Sequence, residues 1–91
     1  MEKTLKIALK NKYGLHVRPT TAIAAAAAKF KAEIIVSCHG ACRANARSTM
    51  ELLALCAERG DELTFTARGE DAEEAIAAMF ALVDGCFGGL E

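Results

Sequence analysis

The stretch Tyr13-Gly14-Leu15-His16-Val17-Arg18-Pro19-Thr20-Thr21 places an imidazole two positions from a guanidinium and three from a proline, just ahead of a run of alanines. Alanine has the highest helix propensity, so residues 22–28 are read as helical. Pro19 suits the first turn of that helix, where a missing N–H breaks no helical bond. The first amides of a helix lack internal acceptors and lie at the positive end of its dipole, and together they attract anions. Arg18 adds a permanent charge whose planar fork matches phosphate oxygens. Gly14 permits close backbone approach. Imidazole titrates near neutrality, and its neutral nitrogen can attack a phosphoryl group whose charge the surrounding donors would then hold. Phosphoryl transfer asks for little beyond such positioning and electrostatics. A second reading stands beside this one on spacing alone: His16 as an ordinary exposed residue at a helix start. No histidine, carboxylate or serine lies close enough in sequence to form a triad with it, and no glycine-rich nucleotide loop is present. A phosphoryl group on His16 would have to be delivered by a partner.

Cysteines stand at 38, 42, 56 and 86. Cys38-His39-Gly40-Ala41-Cys42 has the outline of a metal loop, but a structural zinc site takes four ligands, and Cys56 and Cys86 fall far along the chain in helical patterns. The segment is therefore read as a tight turn with no metal assigned. The four cysteines are expected to be free thiols rather than a disulfide framework.

The elements that must position His16 follow from hydrophobic periodicity. Leu5, Ile7 and Leu9 alternate with Lys6, Ala8 and Lys10 as in a half-buried strand. After Pro19, residues Ile23, Ala26, Ala27 and Phe30 share one helical face. Glu33 to Cys38 reads as a second strand, His39-Gly40 as a turn, and Cys42 to Ala46 as a short third strand. Ser48-Thr49-Met50-Glu51 has the spacing of a capping box and opens a short helix carrying Leu52, Leu53, Leu55 and Cys56. Leu63, Phe65 and Ala67 alternate with Thr64 and Thr66 as a fourth strand. Asp71 and Glu74 are expected to cap a longer helix with Ile76, Met79, Phe80 and Val83 inward, ending near Gly85, with Gly88-Gly89 in a loose tail.

The order βαββαβα, each element with one apolar face, predicts an α+β open-faced β-sandwich: a four-stranded, largely antiparallel sheet with three helices on one face. Residues 1–91 read as a single domain without linker or internal repeat. Net charge is −1, the basic residues are scattered and aromatics are few, which argues against nucleic-acid binding. No apolar run approaches membrane-spanning length. Met1-Glu2-Lys3 leads straight into a strand pattern without a signal-peptide segment, so a cytoplasmic location is expected.

The stretch GLHVRPTTAIAAAAAKF resembles the Gly-[Leu/Ile]-His-x-Arg-Pro segment of the histidine-containing phosphocarrier family, HPr, of the bacterial phosphotransferase system. NARSTMELLAL resembles that family's regulatory serine segment. The resemblance spans essentially the whole chain and agrees with the element order. It implies that His16 accepts a phosphoryl group on its δ nitrogen from the phosphoenolpyruvate-dependent enzyme I and passes it to IIA domains. Arg18 would steady the phosphate and Pro19 would fix the helix start. Ser48 would match the serine modified by an HPr kinase/phosphorylase. Val17, Pro19, Thr21, Thr49, Met50 and Leu53 would form the docking surface of a monomeric carrier that needs no cofactor and is not itself an enzyme.

Some positions depart from the family pattern. Tyr13 replaces a small or polar residue, and Ala25 and Ala28 stand where some members carry lysines, which implies weaker steering toward acidic partners. The stretch between Gly40 and Ser48 is one residue longer than usual, implying a bulge or a longer turn by the third strand. Glu51 makes structural sense of Ser48 as a cap and would repel a phosphate placed on it. Two other functions stay in view: a regulatory paralogue of the nitrogen-related branch that acts by phosphorylation-dependent binding, and a thiol or metal module built on Cys38 and Cys42.

Overall fold

The computed structural model describes residues 1–40 and 42–89. Its elements are β1 (Glu2–Ala8), α1 (Val17–Ala27), β2 (Glu33–Cys38), β3 (Cys42–Asn45), α2 (Thr49–Ala54), β4 (Glu62–Arg68), α3 (Ala72–Asp84) and a final turn, α4 (Cys86–Gly89). The four strands form one antiparallel sheet in the order β1-β4-β2-β3. This is the open-faced sandwich that the alternation implies.

Strand periodicity decides which face is covered. Leu63, Phe65 and Ala67 of β4, Ile34 and Val36 of β2 and Ala44 of β3 are all buried. The intervening Thr64, Thr66, Ile35 and Ser37 are only partly covered. Register locks the pattern, with Phe65 opposite Leu5 on one side and Val36 on the other. A one-residue slip would turn Phe65 to solvent. Ile23 and Ala27 of α1, Leu52 of α2, and Ala72, Ala75, Met79 and Val83 of α3 close the core over that face. Phe65 is completely buried, and truncating a core phenylalanine costs about 3–5 kcal/mol.

Several local expectations are corrected. α1 begins at Val17 rather than after Pro19, which puts the proline at the third helical position. Phe80 is 47% exposed: Met79 and Val83 occupy the inward stripe of α3, and Phe80 is rotated off it. Asp71 stands at the N-cap of α3 but makes no side-chain capping bond. Its carboxylate instead accepts the backbone N–H groups of Lys31 (2.8 Å) and Ala32 (2.8 Å), tying α3 to the start of β2. The Lys31 bond foremost holds the Asp71 carboxyl below its ordinary value.

Ser48 accepts the Glu51 N–H at 3.1 Å, but Glu51 does not reach back to Ser48. The Glu51 carboxylate takes the Asn45 N–H at 2.9 Å, so half of the capping box is spent on holding α2 against β3. α2 ends at Ala54, and Cys56 lies beyond it with a left-handed φ of 52°. Residues 35–38 and 42–45 pair without a bulge. Cys38 faces Cys42 across a three-residue connection that includes Ala41, which lies outside the described residues. α4 adds a fourth helical turn to the three expected, with left-handed backbone at Phe87 and Gly88 and the Phe87 ring buried. Gly88 and Gly89, expected in a loose tail, belong to this final turn.

Candidate functional site

His16 is the N-cap of α1, with extended backbone (φ −100°, ψ −172°) and a half-buried side chain. Its carbonyl accepts the Thr20 N–H, the first bond of the helix (3.2 Å). The Val17 and Arg18 amides lack intrahelical acceptors by position, and Pro19 has no N–H to offer. The mouth of α1 thus presents two amides, with no acidic side chain in the first turn to compete for them. Thr20 and Thr21 hydroxyls both donate to the Val17 carbonyl (2.8 and 2.9 Å), which tightens this turn.

The loop before His16 is seated by backbone contacts. Leu15 donates to the Ala57 carbonyl, Leu9 donates to Asp61 and Gly60 donates to Leu9, each at 2.9 Å. Gly14 has φ +60°, and a Cβ there would lie 2.4 Å from the Ala57 carbonyl oxygen. Glycine is required twice over, by conformation and by space. Beneath it Asn11 is buried and donates from Nδ2 to the Gly14 carbonyl at 2.7 Å. Sequence reading passed over Asn11; the available signal was a turn-forming asparagine three residues before a glycine.

Tyr13 stands edge-on to His16, ring centroids 5.9 Å apart and planes at 89°. It is 60% exposed, so it flanks the imidazole without covering it. Arg18 is also exposed. Val17 (60% exposed) and Met50 (83%) are among the large apolar side chains that face solvent. Thr21 is exposed, and Thr49, Leu53 and Ser48 are half-buried. Pro19 is a correction: its side chain is fully buried and offers no docking surface. In α2 the core is served by Leu52, which leaves Met50 outside.

The other histidine lies at the same end of the sheet, in the turn after β2, with φ 55°. His39 Nε2 is 3.3 Å from Asp61 Oδ2. Cys38, Cys42, Cys56 and Cys86 are free thiols. Burial above all, and then the Asp61 charge, push the Cys38 thiol up. Among the described residues no helix is long and apolar enough to cross a membrane.

Comparison with known proteins agrees with this arrangement. The PTS-HPr family, described as the PTS HPr component phosphorylation site, matches residues 3–84. The phosphocarrier protein NPr of Shewanella violacea is 39% identical over 82 residues, 90% of this chain and 89% of its own. The multiphosphoryl transfer protein of Salmonella typhimurium is 42% identical over 73 residues; that match takes in 78% of this chain but only 19% of the longer protein. The crystal structure of HPr-C-His from Thermoanaerobacter tengcongensis superposes with a TM-score of 0.91 at 36% identity, covering 98% of this chain and 99% of that one. Sheet order, the glycine-held loop and the histidine at the mouth of α1 thus occur in a chain that belongs to the HPr family of phosphocarriers of the phosphotransferase system.

Proposed function

We propose that His16 is the phosphoryl acceptor and donor of this carrier, taking its phosphoryl group from enzyme I and passing it to IIA domains. The observation that carries this reading is the position of His16 as N-cap of α1, beside two amides that have no helical acceptor. A neutral ring nitrogen attacks phosphorus, the new N–P bond forms as the bond to the donor breaks, and the phosphoryl oxygens settle against the Val17 and Arg18 amides. Arg18 supplies the charge-assisted bonds that hold the arriving phosphate. Transfer to an acceptor runs the same steps in reverse, so turnover requires partners and the chain acts as a carrier, not as an independent catalyst.

Val17, Thr21, Thr49, Met50 and Leu53 form the docking surface around the ring. The exposed side chains of Val17 and Met50 suit a brief protein encounter, and Ala25 and Ala28 add no steering charge. Residues 1–91 act as one domain. Ser48 is a regulatory position for an HPr kinase/phosphorylase: a phosphate there adds nearly two negative charges beside the docking face and weakens enzyme I association. The likeness to an NPr protein supports a second reading, a regulatory carrier of the nitrogen-related branch using the same histidine.

Incubation with phosphoenolpyruvate and a matched enzyme I tests the site. An acid-labile, base-stable phosphate is expected, absent from His16→Ala; labelling that persists in that variant refutes the assignment. With ATP and a serine kinase, an acid-stable phosphate lost in Ser48→Ala supports the regulatory role, and its retention removes it.

A further inference from the structure

The carrier chemistry leaves one cluster of metal-ligating side chains unused. Cys38 Sγ, a ring nitrogen of His39 and a carboxylate oxygen of Asp61 all lie within 4.8 Å of one another. We propose that these three residues bind one borderline-soft divalent cation, with zinc the expected occupant and water in the fourth position.

Geometry supplies the first argument. The His39 Nε2 to Asp61 Oδ2 separation is 3.3 Å, long for a charge-assisted hydrogen bond. Two ligands on arms of about 2.0–2.1 Å at the tetrahedral angle are separated by about 3.3 Å, so this edge already has the spacing that zinc imposes. The longer sulfur arm sets its two edges at about 3.5 Å, which asks atoms now within 4.8 Å of one another to close by up to about 1.3 Å. His39 can provide that closure: its side chain is 53% exposed, on a turn.

Charge and chemistry supply the second. A thiolate and a carboxylate carry two negative charges, which a divalent cation neutralises while the imidazole stays neutral. The Cys38 thiol gives its proton to solvent as the sulfur–metal bond forms. A sulfur, nitrogen and oxygen set favours zinc and its neighbours over magnesium or calcium, which take oxygen ligands.

The protein also holds the carboxylate in place. Asp61 Oδ2 accepts the Glu58 N–H at 2.8 Å, and the Asp61 carbonyl accepts the Leu9 N–H at 2.9 Å. Outer bonds of this kind orient metal ligands, and a carboxylate keeps further lone pairs for the ion. A cleft of about 380 Å³ lined by Ser37, Cys38, His39, Gly40, Glu62 and Thr64 opens beside two of the three ligands, of which His39 is exposed and Cys38 buried. Cys42 faces Cys38 in the ladder but lies outside the three-residue group.

Reduced, chelator-treated protein is titrated with zinc chloride by calorimetry and with cobalt(II) by absorption spectroscopy. One ion per chain is expected, with a thiolate-to-cobalt charge-transfer band, the strong visible bands of four-coordinate cobalt, and no competition from excess magnesium. Cys38→Ser removes the charge-transfer band. His39→Asn, which keeps a residue tolerant of the left-handed turn, weakens zinc by at least about tenfold; Asp61→Asn does the same, and Cys42→Ser changes nothing. Circular dichroism verifies that each variant is folded, and the exposed His39→Asn variant carries the test if Cys38→Ser is not. A missing thiolate band, a band lost in Cys42→Ser, or undiminished affinity in His39→Asn overturns the proposal.

Discussion

His16 caps the start of α1, where the first turn holds no acidic side chain, whereas His39 stands 3.3 Å from a carboxylate and beside a buried thiol. Both lie on loops at one end of the same sheet. The same imidazole therefore meets opposite fields. Around His16 the field is made by backbone amides and a helix dipole, which suit an anion and cannot be removed by mutating one side chain. Around His39 it is made by two side chains that suit a cation and can be deleted singly. What a histidine can do is decided by whether the fold surrounds it with peptide donors or with anionic side chains.

The comparison can be broken at its backbone end first. Gly14→Ala drives a Cβ to 2.4 Å from the Ala57 carbonyl at a left-handed φ. Unfolding in urea is expected to show a loss of about 3 kcal/mol, with phosphoryl uptake falling in the protein that remains folded. An unchanged midpoint would mean that the loop is not held as described. Next in size is Arg18→Ala, expected to slow phosphoryl uptake by about 100-fold in rapid-quench measurements, the usual effect of losing one donor to a developing charge. A rate within about threefold of wild type would leave the amides alone to hold the phosphate.

Ser48→Ala removes an N-cap acceptor and should cost about 1 kcal/mol of stability by urea midpoint. Smallest is Asp61→Asn, because the His39 contact joins an exposed imidazole to a partly buried carboxylate and asparagine keeps an oxygen for the Glu58 N–H: without added metal, its stability cost should stay under about 1 kcal/mol. A larger loss would show that the His39 end is a structural ion pair rather than a ligand set.

Legibility in the sequence follows the same division. Everything around His16 is local: glycine, histidine, arginine and proline stand in one stretch, and the alanines after them dictate the helix. Alternation in β4 disclosed the covered sheet face for the same reason. Side chains that act across the fold were not legible. Asp71 looked like a cap and instead binds amides some 40 positions away in sequence. Asp61 lies far from His39 along the chain, yet the fold brings the two face to face. Glu51 had the spacing to return to Ser48 but takes the Asn45 amide, because β3 ends beside α2. Phe80 fell within the helical stripe on hydropathy, yet the neighbouring Met79 and Val83 fill the core and leave it outside. Spacing reveals what a residue can do with its neighbours in sequence; register and packing choose between those neighbours and distant partners.

The central claim concerns where phosphorus bonds, and phosphorus–nitrogen correlation by NMR on the enzyme I-phosphorylated, nitrogen-15-labelled protein addresses it directly. The account predicts a single phosphorus coupled to a ring nitrogen of His16, with the Val17 and Arg18 amides shifting as the phosphoryl group arrives and His39 unaffected. Phosphorus coupled to His39, or a phosphorylated His16 that leaves both amides unmoved, would contradict it.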